Sequence, residues 1–284
     1  MTMPPAATPS GLAGMTGRAA LMAAIMVAAA ALPLVLSNYQ VGLATEVLIF
    51  GLLAMSIDIL AGFAGRTSLG HGAIFGLLAV RTSGVYFLLL TLALGMIVWG
   101  ICLRWTQVTG GENGMRGDVR PAMLLTNSAF YWAVLAGAAV AAFAMWRFVR
   151  SPFGLTLRGI RDSESRMRSL GYNVPLHLFI GFAVSGFFAG VAGALYAMFN
   201  NFVSPSTVAL AQSVEGVLMM IAGGVGTLFG AFVGAAAIIA LENVVSAYTE
   251  RWQMVLGITF ILIMIFAPEG IIGKLRAILT RKVR

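Results

Sequence analysis

The sequence predicts an all-α, polytopic integral membrane protein, and three observations carry that expectation. Of its 284 residues, 60% are hydrophobic and only 10% are charged, whereas a water-soluble domain carries about 25% charged residues. The apolar residues fall in runs long enough to cross a bilayer, where roughly 20 residues span a hydrocarbon core of about 30 Å. The basic residues collect between those runs, as the positive-inside rule requires. The mean hydropathy is +0.93, and 34 Gly and 16 Met suit helices packed closely in lipid.

Composition also narrows the functions. A net charge of +8 could suit nucleic acid, but its confinement to inter-span loops argues against that partner. Cys102 stands alone inside an apolar run and cannot form an intrachain disulfide. With two histidines, it leaves too few ligands for most structural metal sites, so no metal and no cofactor are expected. The enzyme motifs His-Glu-x-x-His and Gly-x-Ser-x-Gly are absent. Glycine-rich Thr109–Gly114 lacks the Gly-Lys-Ser/Thr ending of a phosphate loop and reads as an external turn. A non-enzyme is expected.

Along the chain, residues 1–16 read as a disordered cytoplasmic tail, 17–272 as the membrane domain and 273–284 as a basic cytoplasmic tail. The first span runs from about Arg18 to Leu36, with a cleaved signal peptide as its competing reading. The second covers Val41–Phe63 and holds Glu46 and Asp58. The apolar stretch Leu69–Val80 reaches only about 18 Å as a helix and is expected to be re-entrant. Further spans are expected near Ser83–Leu103, Phe130–Val149, Leu176–Phe199, Val214–Ile221, Thr227–Val245 and Trp252–Phe266. That makes about eight crossings. Arginines 147, 150, 158, 161, 166 and 168, with the basic C-terminus, place the 150–175 loop and both termini in the cytoplasm.

The 150–175 loop is the most informative segment. Asp162 or Ser163 can cap a short helix with Glu164 in its first turn, closed by Leu170 and a left-handed Gly171. Ile160, Met167 and Leu170 form an apolar stripe beside a charged face. Such a helix can dock on a soluble partner or lie on the lipid surface.

Several intramembrane features admit both a structural and a functional reading. Asp58 suits either a structural ion pair with Arg66 or Arg81 or a place in a transport path. Glu46 and Glu215 lie near span ends, and Glu215 is retained as a path candidate. His71 suits packing or a proton relay. Gly223, Gly224 and Gly226 break a helix near membrane depth, which suits a hinge or a cavity lining. The stripes Gly226/Gly230/Gly234 and Gly186/Gly190/Ala194 suit close helix packing.

Residues 158–173 (RGIRDSESRMRSLGYN) resemble the coupling loop of permease subunits in branched-chain amino acid importers of the ATP-binding-cassette class. The resemblance, to the LivM type, continues through FAVSGFFAGVAGALY at 182–196, VSPS at 203–206, SVE at 213–215, GGVGT at 223–227 and PEG at 268–270. Upstream it includes SLGH at 68–71, GVYF at 84–87, TLA at 91–93 and TGGENG at 109–114. It covers roughly residues 40–275. The chain departs from the family's pattern at one place, where Val80 runs directly into Arg81 and sequence for about two crossings is missing.

The resemblance implies a permease subunit carrying branched-chain amino acids or related small polar solutes across the bacterial inner membrane. It implies a second homologous permease subunit, two cytoplasmic ATPase subunits and an external solute-binding protein. Arg158, Arg161, Asp162 and Glu164 would then make polar contacts to an ATPase, with Met167, Leu170 and Gly171 seating and closing the helix. The rivals are a stand-alone secondary transporter or channel, a multi-pass membrane enzyme and a non-functional shortened permease.

Overall fold

The helix around which the others pack begins at Ser37. The Ser37 hydroxyl accepts from the Gln40 N–H, and the Gln40 side chain accepts in return from the Ser37 N–H at 3.1 Å. This reciprocal cap satisfies donors a helix start leaves free. The computed structural model describes residues 26–68, 82, 84–116, 120–121, 124–249, 252–266 and 270–274. His71, Arg81, the 69–80 stretch, the start of the first span, the proposed N-terminal tail and the C-terminal tail after Lys274 lie outside the described residues.

In chain order the helices are α1 (Met26–Val35), α2 (Asn38–Asp58, continued by a π turn, Ile59–Phe63) and α3 (Val85–Arg104). Then come α4 (Thr106–Thr109), α5 (Asn127–Val149), α6 (Pro152–Asp162) and α7 (Glu164–Ser169). The chain continues as α8 (Val174–Asn200), α9 (Leu210–Gly223), α10 (Gly230–Ser246) and α11 (Trp252–Phe266). A two-residue antiparallel ladder, β1 (Met115–Arg116) with β2 (Phe202–Val203), joins the loops that follow α4 and α8.

Four spans, α2 with its π turn, α3, α5 and α8, are long and apolar enough to cross a membrane. Four shorter apolar helices accompany them, at Met26–Val35, Leu210–Gly223, Gly230–Ser246 and Met254–Ile263. The protein is therefore an all-α, multi-pass membrane bundle.

α2 packs against α5, α8, α9 and α10. Within its apolar window 67% of residues are buried inside the chain, against 11% for α3. The core includes Leu52, Met55, Ile59, Met145, Met219 and Ile238, all essentially inaccessible. Because lipid is as apolar as these side chains, shape and close approach must hold the helices together. Glycines provide that approach between α9 and α10. A Cβ on Gly230 would strike the Gly223 carbonyl, and one on Gly234 would strike the Met219 carbonyl and the Gly223 backbone. The Gly230/Gly234 stripe thus packs within the chain, whereas a Cβ on Gly190 would meet open space.

The Arg-rich loop differs from the single striped helix expected. Ser151 caps α6 ahead of Pro152, as suits a first helical turn. At Ser163 the backbone turns extended (φ −164°, ψ 102°), and its hydroxyl caps α7. Ile160 and Met167 therefore sit on different helices, and the fold-back lays the Met167 sulfur against Gly159. Leu170 leaves the stripe and is 67% exposed, while Gly171 (φ +86°) ends α7.

If backbone-to-backbone approach holds α9 to α10, Gly234→Leu is expected to destabilise the detergent-solubilised protein by at least the roughly 1–3 kcal/mol of an overpacked core. Gly190→Leu is expected to leave the thermal unfolding midpoint unchanged. Equal midpoints for the two variants would exclude this packing.

Candidate functional site

Asp58 ends α2 and is 1% exposed. Its Oδ1 accepts from the Gly226 N–H at 2.6 Å and its Oδ2 from the Leu228 N–H at 2.9 Å. Both donors lie in the irregular segment between α9 and α10, where Gly224 and Gly226 have φ of +113° and +78° and Leu228 also has positive φ. The carboxylate thus replaces the partners that a broken helix leaves missing. Gly62 stands against this contact, since a Cβ there would overlap Asp58 Oδ1 and the Gly226 backbone.

The Arg-rich loop closes on the same place. Arg161 Nη1 donates to the Gly62 carbonyl, and the Arg161 stem crosses Gly65, whose φ is +69°. The Arg158 guanidinium lies 4.7 Å over the Phe63 ring. Three residues beyond the π turn's end, Arg66 begins a second tie: it pairs with Glu164 at 3.0 Å, and Glu164 also takes Arg168 at 2.6 Å. The contact weighed for Asp58 with Arg66 is therefore not formed. Asp58 is satisfied by backbone N–H groups, and Arg66 belongs to the Glu164 network.

The seven residues assigned to coupling divide in two. Arg158, Arg161, Glu164 and Met167 contact their own chain, with Met167 buried in a cluster with Leu157, Ile160 and Leu178. Asp162, Leu170 and Gly171 face outward. Among the path candidates, Asp58, Gly223, Gly224 and Gly226 come together in this packed contact, and Glu215 lies elsewhere.

Glu215, on α9, belongs to a second polar group in the opposite half of the bundle. It lies within electrostatic reach of Glu242 of α10 and Glu46 of α2. The Gln212 side chain donates to Glu215 Oε2 at 3.1 Å. Two cavities flank this group. One of about 470 Å³ is polar, with Glu46, Arg120, Asn127 and Asn243 among its lining. The other, about 240 Å³, is lined mainly by apolar residues and touches Tyr196 and Gln212. Arg120 also caps the end of α8, donating to the Met198 carbonyl at 2.8 Å and the Phe199 carbonyl at 2.5 Å.

Sequence reasoning left Glu242, Tyr196, Gln212 and Arg120 out of the site. The available signal was Glu242-Asn243 interrupting an apolar run, since intramembrane acids are functional candidates. Its association with Glu46 and Glu215 required the packed structure.

Comparison with known proteins now decides the class. The sequence profile described as "Branched-chain amino acid transport system / permease component" matches residues 71–264. This chain belongs to that family. It is 25% identical over 316 residues to the high-affinity branched-chain amino acid transport system permease protein LivM of Salmonella typhimurium, covering 89% of this chain and 74% of the relative. The Escherichia coli LivM protein is likewise 25% identical over 318 residues, with 90% and 75% covered. The autoinducer 2 import system permease protein LsrC of Klebsiella pneumoniae is 28% identical over 227 residues, with 75% and 62% covered. The LivM alignments run longer than the part of this chain they include, so those permeases carry interior stretches with no counterpart here. No solved structure matches.

As a test of the Asp58 contact, Asp58→Ala is expected to leave two buried N–H groups unpaired at about 1–3 kcal/mol each. Asp58→Asn keeps one acceptor and is expected to lose less. Denaturation of both variants in detergent checks the order, and indistinguishable stabilities would contradict the assigned hydrogen bonds.

Proposed function

We propose that this chain is one membrane-spanning subunit of an ATP-driven importer for branched-chain amino acids or related small polar solutes. The observation that carries the reading is the α6–α7 pair. It is fastened to the α2 π turn by Arg158 and Arg161 and to Arg66 just after it by Glu164, yet presents Leu155 and Leu170 outward at 61% and 67% exposure. Large exposed apolar side chains within a strongly basic segment suit a protein groove better than water.

In this reading α6–α7 lies in the cytoplasm and docks on one of two ATPase subunits. A second homologous permease completes the pore, and an external binding protein delivers the solute. The LivH permeases of the same relatives, 27% identical to this chain over 156 residues, are candidates for the kind of subunit it pairs with. In the same reading both termini lie in the cytoplasm and the chain sits in a bacterial inner membrane. This subunit itself performs no catalysis.

The mechanism follows from the ties described above. ATP-driven closure of the ATPases moves α6–α7. Arg161 passes the displacement to the Gly62 carbonyl, and Asp58, four residues earlier, passes it to the turn joining α9 to α10. A broken helix pair clasped at one end can rock against α2 without unpairing its backbone, which suits alternating access.

The experiment is co-purification with the ATPase subunits together with uptake in proteoliposomes. Burial of each leucine in a partner groove contributes about 2 kcal/mol, so Leu155→Asp with Leu170→Asp is expected to weaken assembly by roughly two to three powers of ten. Because both side chains are exposed, the isolated subunit's stability is expected to change by no more than about 0.5 kcal/mol. Unchanged ATPase retention and ATP-driven uptake in the double variant would refute the docking.

A further inference from the structure

The two cavities are stacked along the seam between α2 and α8. The polar one is lined by α2 residues from Asn38 to Glu46 and by Phe199 and Asn200 of α8. The apolar one is lined by α2 residues from Ile49 to Leu53 and α8 residues from Ala189 to Ala197. Glu46 borders the first, Tyr196 and Gln212 the second, and Glu46, Glu215 and Glu242 lie within electrostatic reach of Tyr196. Glu46 thus borders the wet compartment, and Glu215 is joined to the dry one through the Gln212 side chain.

Glu46 lies twelve residues before Asp58 on α2, about 18 Å along the helix axis. The apolar cavity begins within a turn of it, at the middle of the bundle. Among the described residues no lysine, arginine or histidine forms an ion pair with Glu46, Glu215 or Glu242. Carboxylates at that depth need a cation or a proton, because an uncompensated charge out of water is costly. The adjoining wall offers no such partner: Phe50 meets Tyr196 edge-on at 5.4 Å, and Leu53, Ala192 and Val208 supply hydrocarbon.

We propose that the apolar cavity is the substrate subsite of this subunit, taking a primary ammonium compound with a short branched aliphatic chain. The ammonium group sits at Glu46, Glu215 and Glu242, and the aliphatic chain lies between Phe50, Leu53 and Gly193. This assignment rests on the transport reading above and specifies the chemistry of its path. A volume of about 240 Å³ has room for an aliphatic amino acid. Gly193 is the point of entry for a test, because it lines the cavity and a Cβ there would have nothing within 4 Å.

The test uses the assembled transporter in proteoliposomes, with ATP-driven uptake of leucine and of alanine measured side by side. Gly193→Leu fills the cavity and is expected to cut leucine uptake about tenfold or more while reducing alanine uptake severalfold less. Glu215→Gln is expected to reduce uptake of both about tenfold. Gly190→Leu, on the same helix but outside the cavity, is expected to change neither. ATPase co-purification reports assembly, and Gly193→Val carries the test if the larger variant fails to assemble. Leucine binding to the permease–ATPase complex in nanodiscs should be displaced by 3-methylbutylamine and not by 4-methylpentanoate.

Wild-type uptake with unchanged rates and unchanged leucine-to-alanine preference in the Gly193 and Glu215 variants overturns the subsite and leaves the transport reading standing. Dependence of uptake on a sodium gradient instead of the substrate's ammonium group also overturns it, assigning the carboxylates to an inorganic cation. No ATP-driven uptake of any amino acid by the wild-type assembly overturns both.

Discussion

The fold depends on a carboxylate bound by two backbone N–H groups. A helix interrupted inside a membrane exposes donors and acceptors that lipid cannot satisfy. Asp58 meets that constraint by accepting from Gly226 and Leu228 with its two oxygens. The contact also fixes the geometry of its neighbours. Gly62 must lack a side chain to admit it, and the π turn at Ile59–Phe63 presents the Gly62 carbonyl to Arg161. A single buried acid thereby joins the central helix, the α9–α10 break and the Arg-rich loop. Among the described residues, Glu46 of α2, Glu215 of α9 and Glu242 of α10 form no such hydrogen bond to backbone N–H groups.

Much of the architecture was legible from apolar run length, because every span must cross the same thickness of lipid. The run starting near Val41 became α2 with its π turn, and the one ending near Val149 became α5. Capping signals were equally direct. Ser163 caps α7 and Gly171 takes the left-handed conformation because these depend on residues close in sequence. The stripe of Ile160, Met167 and Leu170 was misleading because periodicity assumes one continuous helix. Extended backbone at Ser163 ends that continuity, so only the first two of these side chains are buried.

The partners of the charged residues were not legible, and the reason is geometric. Asp58 and its two donors are 168 and 170 residues apart, and Arg66 and Glu164 are 98 apart. Nothing local distinguishes an aspartate that will find a basic side chain from one that will find a broken helix. Glu242 was passed over for a related reason. An acid near the end of a short apolar helix reads as interfacial until Glu46 and Glu215 are seen at its depth. Depth is a property of the packed bundle, and a chain whose helices alternate in direction conceals it.

The missing stretch after Val80 bears on how such a bundle tolerates loss. α3, the first described span beyond it, is buried along little of its length; Phe87 meets Phe182 at 6.2 Å and lies under Arg66 at 5.6 Å. In water, losing neighbours would leave a large apolar face to be hidden, whereas in lipid that face is already solvated. The constraint that cannot be relaxed is backbone pairing, and it is met elsewhere, at Asp58 and along the Gly223–Gly234 contact of α9 with α10. Of the described elements next to the gap, α3 touches the α2–α9–α10 assembly only slightly, at α9. A shortened permease can thus keep the clasp at one end of the bundle and the carboxylates above it.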